Sequence, residues 1–350
     1  MRAVRIEEFG GPEVLVPVEL PDPVAGPGEV LVRVEAAGVN RADALTRSGS
    51  YHRAGRPPLL PGLEAAGTVV ALGPGVSGPD GPDGLDGPDG SGGLRVGSRV
   101  MALGAANAPG FYAELAAVPV GRVAVLPDGL PATEAAALPV AWLTAWYCLR
   151  RLARVAKGET VVVHAAASGV GSAAVQIAAD AGARVIAVAG SPDKARWAAE
   201  LGARTVVDLS AHPGDGAVEE VARLTGGRGA DVVLDTVGGR VFGQSLRMAG
   251  HAGRVIALAN VALEPSTVDT RDFYPKNVSV HGFQLTNLLE HGYDPRADLR
   301  EIAARVAAGT YRVPVETVFP LERAAEAHER LEQRANRGKI VLAVAAPATG

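Results

Sequence analysis

The stretch Thr160-Val-Val-Val-His-Ala165, continuing as Ala166-Ala-Ser-Gly-Val-Gly171, decides the fold. Its first half is an apolar, β-branched run, the pattern of a strand buried on both faces of a parallel sheet. Its second half is small and glycine-bearing, and it opens a helix-length segment over 171–181. Two glycine frames fit the turn: Gly169-x-Gly171-x-x-Ala174 matches G-x-G-x-x-A, and an earlier frame reads Ala166-x-Ser168-x-x-Gly171. Either one turns the chain tightly off a strand. Backbone N–H groups at the helix start then face a diphosphate, with the positive end of the macrodipole behind them. Ser168, Gly169, Val170 and Gly171 are therefore candidate cofactor contacts. Glycines at such a turn also serve close helix–strand packing, and the turn alone is a weak signal. Its place after an apolar strand, before a helix and at the head of a repeated βα pattern gives it weight.

That pattern continues in Arg184-Val-Ile-Ala-Val-Ala189, Asp231-Val-Val-Leu-Asp235 and Arg254-Val-Ile-Ala-Leu-Ala259, separated by helix-length segments over 192–201, 217–224 and 240–249. Strand and helix in alternation, with runs this apolar, predict an α/β doubly wound parallel sheet covered on both faces. The first 125 or so residues read instead as β-rich. Glu29-Val-Leu-Val-Arg-Val-Glu35 alternates apolar and charged residues, and glycine-bounded runs follow at 67–73 and 97–103. The end of the chain is mixed, with amphipathic helices expected over 298–308 and 321–334 and a closing strand over 338–344. Residues 77–93, SGPDGPDGLDGPDGSGG, have the composition of a flexible surface loop. Their aspartates lack the ligand order and closing glutamate of an EF-hand.

Composition narrows the function classes. The 350 residues carry 34 Lys+Arg against 38 Asp+Glu, a net charge of −4, with 47% hydrophobic residues, as in a globular protein of two domains. Near-neutral charge without a basic run argues against nucleic acid or anionic membrane as the main partner. Cys148 is the single cysteine, which excludes an intrachain disulfide and a zinc site built on several thiolates. No apolar run is long enough to span a bilayer, and the start reads as a strand rather than a signal peptide, so a cytoplasmic location is expected. The seven histidines are scattered, with no H-x-x-x-H or H-E pair, and no metal site is expected.

Cofactor choice is read about 20 residues beyond the glycine turn, where an NAD-specific site places an acid against the ribose 2′-hydroxyl. The second strand ends here in Ala187-Val-Ala-Gly-Ser191, with no carboxylate. Gly190 leaves room, Ser191 can donate a hydrogen bond, and Lys194 follows in the first turn of the next helix, although Asp193 lies between. A 2′-phosphate suits that pocket, and NADPH is expected over NADH. Thr236 and Gly238, in Asp235-Thr-Val-Gly-Gly239, and Asn260 fall at the carboxyl ends of later strands, where open α/β sheets bind ligands; they are expected beside the nicotinamide ribose. Phe283 and Gln284 are expected near the carboxamide, and Lys339 is expected to reach the cofactor phosphates.

Several motifs in order resemble the quinone oxidoreductase branch of the medium-chain dehydrogenase/reductase superfamily. They are Gly38-Val-Asn40-Arg-Ala-Asp43, Arg47-Ser-Gly49-Ser-Tyr51, Pro61-Gly-Leu-Glu-Ala-Ala-Gly67, Ala137-Leu-Pro-Val-Ala-Trp-Leu-Thr-Ala-Trp-Tyr147, Val163-His-Ala-Ala-Ala-Ser-Gly-Val-Gly171, Gly253-Arg-Val-Ile256, Ala324-Ala-Glu-Ala-His328 and Gly338-Lys-Ile-Val341. The resemblance covers nearly the whole chain except the Gly/Pro/Asp loop. It implies a GroES-like β-barrel catalytic domain over 1–123, a Rossmann NADPH-binding domain over 124–282, and a return segment over 283–350 that completes the catalytic domain. It also implies homodimers or homotetramers joined along the edge of the Rossmann sheet, where Val278-Ser-Val-His-Gly-Phe283 falls.

Zinc-dependent relatives carry a cysteine where this chain has Asn40 and a His-Glu pair where it has Leu63-Glu64, so the resemblance implies a zinc-independent enzyme. Without a metal to polarise a carbonyl, the acceptor must already be electrophilic, as quinones and α,β-unsaturated carbonyls are. The resemblance places Asn40, Tyr51, Thr144 and Tyr147 near the nicotinamide as donors and liners. Leu45 stands where many quinone reductases carry a tyrosine, and Ser168 stands where relatives usually carry glycine. The expected activity is hydride transfer from NADPH to a quinone or enone. An enoyl-thioester reductase, with Arg41, Arg47, Arg53 and Arg56 as a basic rim, is one alternative; a non-catalytic NADPH-binding structural or regulatory protein is the other.

Overall fold

The computed structural model describes residues 1–76, 93–104 and 108–344; all of the expected loop 77–93 except Gly93 lies outside the described residues. The chain divides into two compact units, Met1–Leu143 with Leu288–Gly350, and Thr144–Asn287.

The unit Thr144–Asn287 is built on a six-stranded sheet in the order Thr205–Asp208, Arg184–Ala189, Thr160–Val163, Ala230–Asp235, Ala249–Ala257, Ser279–Gly282, with every neighbouring pair parallel. The chain starts in the middle, works out to one edge, then returns and works out to the other. The order reverses between Thr160–Val163 and Ala230–Asp235, the switch point at which doubly wound sheets bind ligands. Val161, Val162, Val163, Val188, Val232, Val233 and Leu234 are all fully buried, which is why these strands read as unbroken apolar runs. The helices Gly169–Asp180, Pro192–Glu200, Gly216–Leu224 and Arg240–Met248 fall close to the expected segments.

Two features of this sheet depart from the sequence reading. The strand Ala249–Ala257 begins well before Arg254. Its register against Ala230–Asp235 jumps from Ala230 opposite Ala249 to Val232 opposite Arg254, and Ala252 takes a left-handed φ of 54°. Small residues that suggest a turn thus form an irregularity inside a strand. The short strand Thr205–Asp208 adds an edge that no apolar run announces.

The unit Met1–Leu143 with Leu288–Gly350 holds a seven-stranded sheet. Its centre is the long strand Glu29–Val39, which pairs antiparallel with Glu64–Leu72, with Leu115–Pro119 and with the closing strand Lys339–Ala343. Val30, Val32 and Val34 point into a core shared with Val69, Val100, Phe111, Tyr112, Ile340 and Leu342. Helix Ala324–Glu332 packs on this core through buried Ala324, Ala327 and His328.

His328 Nε2 lies 3.0 Å from the Tyr112 hydroxyl, and both residues are fully buried. Burial, helped by Arg47 and Arg41, pushes the imidazole from 6.5 down to about 3. Below pH 6.5 the unfolded chain takes up a proton that the native protein refuses until about pH 3, so the stability tied to neutral His328 is intact above 6.5 and is lost as the pH falls through this window. His328→Gln, which keeps a polar partner for Tyr112, should therefore lose less melting temperature than wild type between about pH 7 and pH 4.5. Parallel calorimetric scans check this, and equal losses would contradict it.

Candidate active site

In the unit Thr144–Asn287 the chain leaves Thr160–Val163 through Ala165, at a left-handed φ of 45°, and enters helix Gly169–Asp180 at once. Ser168 is the N-cap: its Oγ accepts from the Gly171 N–H at 3.0 Å. A Cβ on Gly171 would overlap the Ala165 carbonyl and lie 2.7 Å from Ala166 Cα, so glycine is what lets the helix start this close to the strand. The N–H groups of Gly169 and Val170, in this first turn, lie ahead of any intrahelical acceptor, as at every helix start.

The next strand ends at Ala189. Ser191 caps helix Pro192–Glu200, its Oγ 3.4 Å from the Lys194 N–H. A Cβ on Gly190 would meet nothing within 4 Å, so space is open beside the cap. Asp193 is engaged by Arg196 and both side chains are 70% exposed, so the acid that could oppose a phosphate is turned to the surface.

After the fourth strand in chain order, the Asp235 carboxylate organises the loop. Its Oδ1 accepts from Val237 N–H at 2.8 Å and from Gly238 N–H at 2.9 Å, and its Oδ2 accepts from Ser245 Oγ at 3.1 Å. Thr236 Oγ1 donates to His164 O across the switch point at 3.1 Å. Gly238, at φ 74°, passes so near the next loop that a Cβ would lie 2.8 Å from Ala259 O and from Asn260 Cα. Asn260 is exposed, its Nδ2 donating to Glu264 O at 2.9 Å. After the last strand, the Phe283 ring lies 5.5 Å from that of Tyr147, with half-buried Gln284 following. Tyr147 opens a π-helical turn, Tyr147–Leu152, that continues the helix Ala141–Trp146 carrying buried Thr144. The expected residues 168–171, 190–194, 236–238, 260 and 283–284 thus all follow carboxyl ends of strands in one parallel sheet.

The other unit gathers a buried polar cluster. Asn40 precedes helix Arg41–Arg47, and its backbone N–H donates to Asp43 Oδ2 at 2.8 Å. Its side-chain Nδ2 donates to Glu64 Oε1 at 2.9 Å. Lys339 Nζ donates to Asn40 Oδ1 at 2.7 Å, Glu64 Oε1 at 2.6 Å and Val39 O at 3.0 Å. Glu64 Oε2 accepts from the Val140 N–H at 2.7 Å, which completes the solvation of a fully buried carboxylate. Burial pushes the Asp43 carboxyl up to about 7, against the lowering effect of the Asn40 and Gly62 N–H groups it accepts from. Tyr51 is half-buried beyond the helix, its N–H bonded to Leu45 O at 3.0 Å and its ring edge-on to His52.

The comparisons with known proteins agree with this arrangement. Residues 26–128 match the model of an alcohol dehydrogenase GroES-like domain, and residues 169–307 match that of a zinc-binding dehydrogenase. The chain is 32% identical to the quinone oxidoreductase of Lama guanicoe over 98% of this chain and 97% of the relative. The chain belongs to the quinone oxidoreductase-like branch of the medium-chain dehydrogenase/reductase superfamily. Among solved structures, a quinone oxidoreductase of Escherichia coli complexed with NADPH is 29% identical, with a TM-score of 0.83 over 98% of this chain and 100% of that one. An NAD-dependent alcohol dehydrogenase is 34% identical, with a TM-score of 0.84 over 99% and 100%. The fold is accordingly a GroES-like domain with a Rossmann domain.

For this member of the superfamily, one expectation needs correction. Lys339 was expected to reach the cofactor phosphates, but it is buried and each of its three N–H donors already has a partner in the GroES-like unit. Sequence reasoning also passed over Glu64 and Asp43 in one unit and Asp235 in the other. The signal for Glu64 was present: an acid entering the small, apolar run Ala65-Ala-Gly67 must find a cation or several donors once buried. The arginine rim is largely engaged: Arg41 donates to Leu331 O, Arg47 pairs with Glu332 and Arg53 pairs with Glu290, while Arg56 stands exposed.

The nucleotide turn yields a graded pair of variants. Ser168→Ala removes one N-cap bond and should lower stability by about 1 kcal/mol. Gly171→Ala must displace backbone and should cost more than Ser168→Ala. Urea titrations of both variants check the order, and a Gly171→Ala protein as stable as wild type would contradict the close approach.

Proposed function

We propose that this oxidoreductase transfers a hydride from NADPH to a quinone or α,β-unsaturated carbonyl without zinc. The observation that carries the cofactor choice is the acid-free turn Gly190–Ser191 with Asp193 held by Arg196. An NADPH-complexed relative of the same fold supports it. The cradle fits a dinucleotide, since Gly171 brings backbone close and Gly190 leaves space. In this reading, the N–H groups of 168–171 hold the diphosphate, Ser191 and Lys194 take the 2′-phosphate, Thr236, Gly238 and Asn260 line the ribose, and Phe283 and Gln284 hold the carboxamide end. When bound, NADPH supplies a hydride from nicotinamide C4. The proposed functional boundaries are a catalytic domain of 1–123 and 283–350 and a cofactor domain of 124–282, whereas the compact units divide after Leu143 and after Asn287.

The residues at the position of the superfamily's catalytic zinc do not fit that metal. Asn40 and Leu63 offer neither thiolate nor imidazole, and Glu64 Oε1 is shared by the Lys339 ammonium and the Asn40 amide. Among the described residues no group of three or more His, Cys, Asp or Glu side chains could hold a metal ion. The developing oxyanion is then stabilised by hydrogen-bond donors, for which Asn40 and Tyr51 are proposed, with Thr144 and Tyr147 lining the pocket. The proton that completes reduction comes from Tyr51 or from water. The engaged arginines leave a CoA-type substrate little basic surface, which favours a quinone or enone. Assembly is proposed along the outer edge of the Rossmann sheet, where Ser279–Gly282 leaves Val280 44% exposed. Among the described residues no helix is long and apolar enough to cross a membrane.

The test follows NADPH absorbance with 1,4-naphthoquinone, an alkenal and crotonyl-CoA side by side, before and after dialysis against EDTA. Naphthoquinone or the alkenal should be reduced, NADPH should outperform NADH, and dialysis should change nothing. A preference for NADH, or activity restored only by zinc, would overturn the reading, and NADPH binding without oxidation by any acceptor would point to a non-catalytic role. Ser191→Asp should weaken NADPH binding by about 1.5–3 kcal/mol, the worth of hydrogen bonds to charged groups, or roughly tenfold to a hundredfold in Kd. Isothermal titration of both coenzymes checks the size and the expected shift toward NADH.

A further inference from the structure

We propose that Lys339 is a positioning residue: its ammonium fixes which way the Asn40 amide faces, so that one Nδ2–H stays available to the oxygen of the acceptor. The inference rests on the reading of Asn40 as an oxyanion donor and adds what aims it.

The argument is one of matching donors and acceptors. An ammonium carries only donors, so the amide atom facing Lys339 Nζ must be the oxygen. A carboxylate carries only acceptors, so the atom facing Glu64 Oε1 must be the nitrogen. The observed contacts, 2.7 Å from Nζ to Asn40 Oδ1 and 2.9 Å from Nδ2 to Glu64 Oε1, satisfy both conditions. Turning the amide over would set NH2 against NH3⁺ and oxygen against carboxylate. Orientation of an asparagine amide is ordinarily a choice left to its surroundings, and here the two charges make it.

The two charges are themselves held in place. Lys339 is 4% exposed and its third donor goes to Val39 O at 3.0 Å. Glu64 Oε2 is fixed by the Val140 N–H. Gly38 makes room, because a Cβ there would overlap the Glu64 carboxylate and lie 2.5 Å from Ala136 O. Asp43 holds the Asn40 backbone from the other side. Of the Asn40 side-chain groups, Oδ1 and one Nδ2–H are therefore engaged, and the second Nδ2–H has no partner among the described residues. Lys339 and Glu64 cancel in net charge, so what they supply is direction rather than field. A donor held in advance needs no reorganisation when charge develops on the acceptor oxygen.

Lys339→Met alone strands the Glu64 carboxylate and can compromise folding, so the working variant is Lys339→Met with Glu64→Gln, its fold checked by circular dichroism. If Lys339 acts through Asn40, kcat with naphthoquinone falls by about tenfold to a hundredfold while the NADPH Kd stays within about twofold. Adding Asn40→Ala to the double variant then costs little more than Asn40→Ala costs alone. A raised NADPH Kd with kcat preserved would overturn the proposal in favour of a phosphate contact, and fully additive losses would also overturn it. A second readout is independent of turnover. In ¹⁵N spectra of the protein without acceptor, the Asn40 Nδ2–H bonded to Glu64 should exchange more slowly than its geminal partner, and this difference should shrink in the double variant. Unchanged signals would refute the positioning role. A wild-type protein that oxidises no NADPH but shows this spectral change would instead refute only the activity on which the proposal rests.

Discussion

The backbone ladder that pairs Lys339–Ala343 with Glu29–Val39 is the constraint on which the candidate site depends. Ile340 lies opposite Val39 and Ala343 opposite Ala36, so the register sets residue 339 beside residue 40. Because side chains alternate along a strand, a slip of one position would turn Lys339 to the other face and leave Glu64 buried without its cation. Ile340 and Leu342 are buried on one face and resist such a slip through the same core that seats Val30, Val32 and Val34. Ordinary apolar packing thus places a polar cluster to a tolerance that the cluster could not set for itself.

The Rossmann domain solves its placement problem differently. Parallel strands carry all their carboxyl ends to one edge, so short loops after five of the six strands present their residues together without any long-range pairing of side chains. Asp235 then stiffens the loop after its own strand by accepting two backbone N–H groups and a serine hydroxyl. Thr236 ties that loop to the first strand through His164 O.

The difference explains what could be read from the amino-acid order. The strand over 160–163, the capping serines 168 and 191 and the glycines 171 and 238 are local features, each recognisable from a few neighbours. The pairing of Glu64 with Lys339 is not, since the cation is 275 residues from the acid: the small, apolar run after Glu64 signals its burial but not its partner. Lys339 looked like an exposed lysine available to a phosphate because burial depends on what packs above it. The arginines near 41–56 looked like a rim for the same reason, although Leu331 O, Glu332 and Glu290, far along the chain, engage three of them. Strand Ala249–Ala257 hid its beginning because Ala, Gly and His at 249–253 favour a turn unless a neighbouring strand holds them extended.

The interleaved order of the chain has a consequence for its biogenesis. Residues 144–287 are contiguous, so the cofactor half can close its own core as soon as that stretch emerges from the ribosome. The other half cannot, because the strand that supplies Lys339 is made some 300 residues after its partner; Nζ and Asn40 are separated by 299 positions. Until then residues 36–39 of the long strand wait without their partner, although 29–33 already pair with Leu115–Pro119. The Rossmann unit is thus the early product of synthesis and the GroES-like unit the late one.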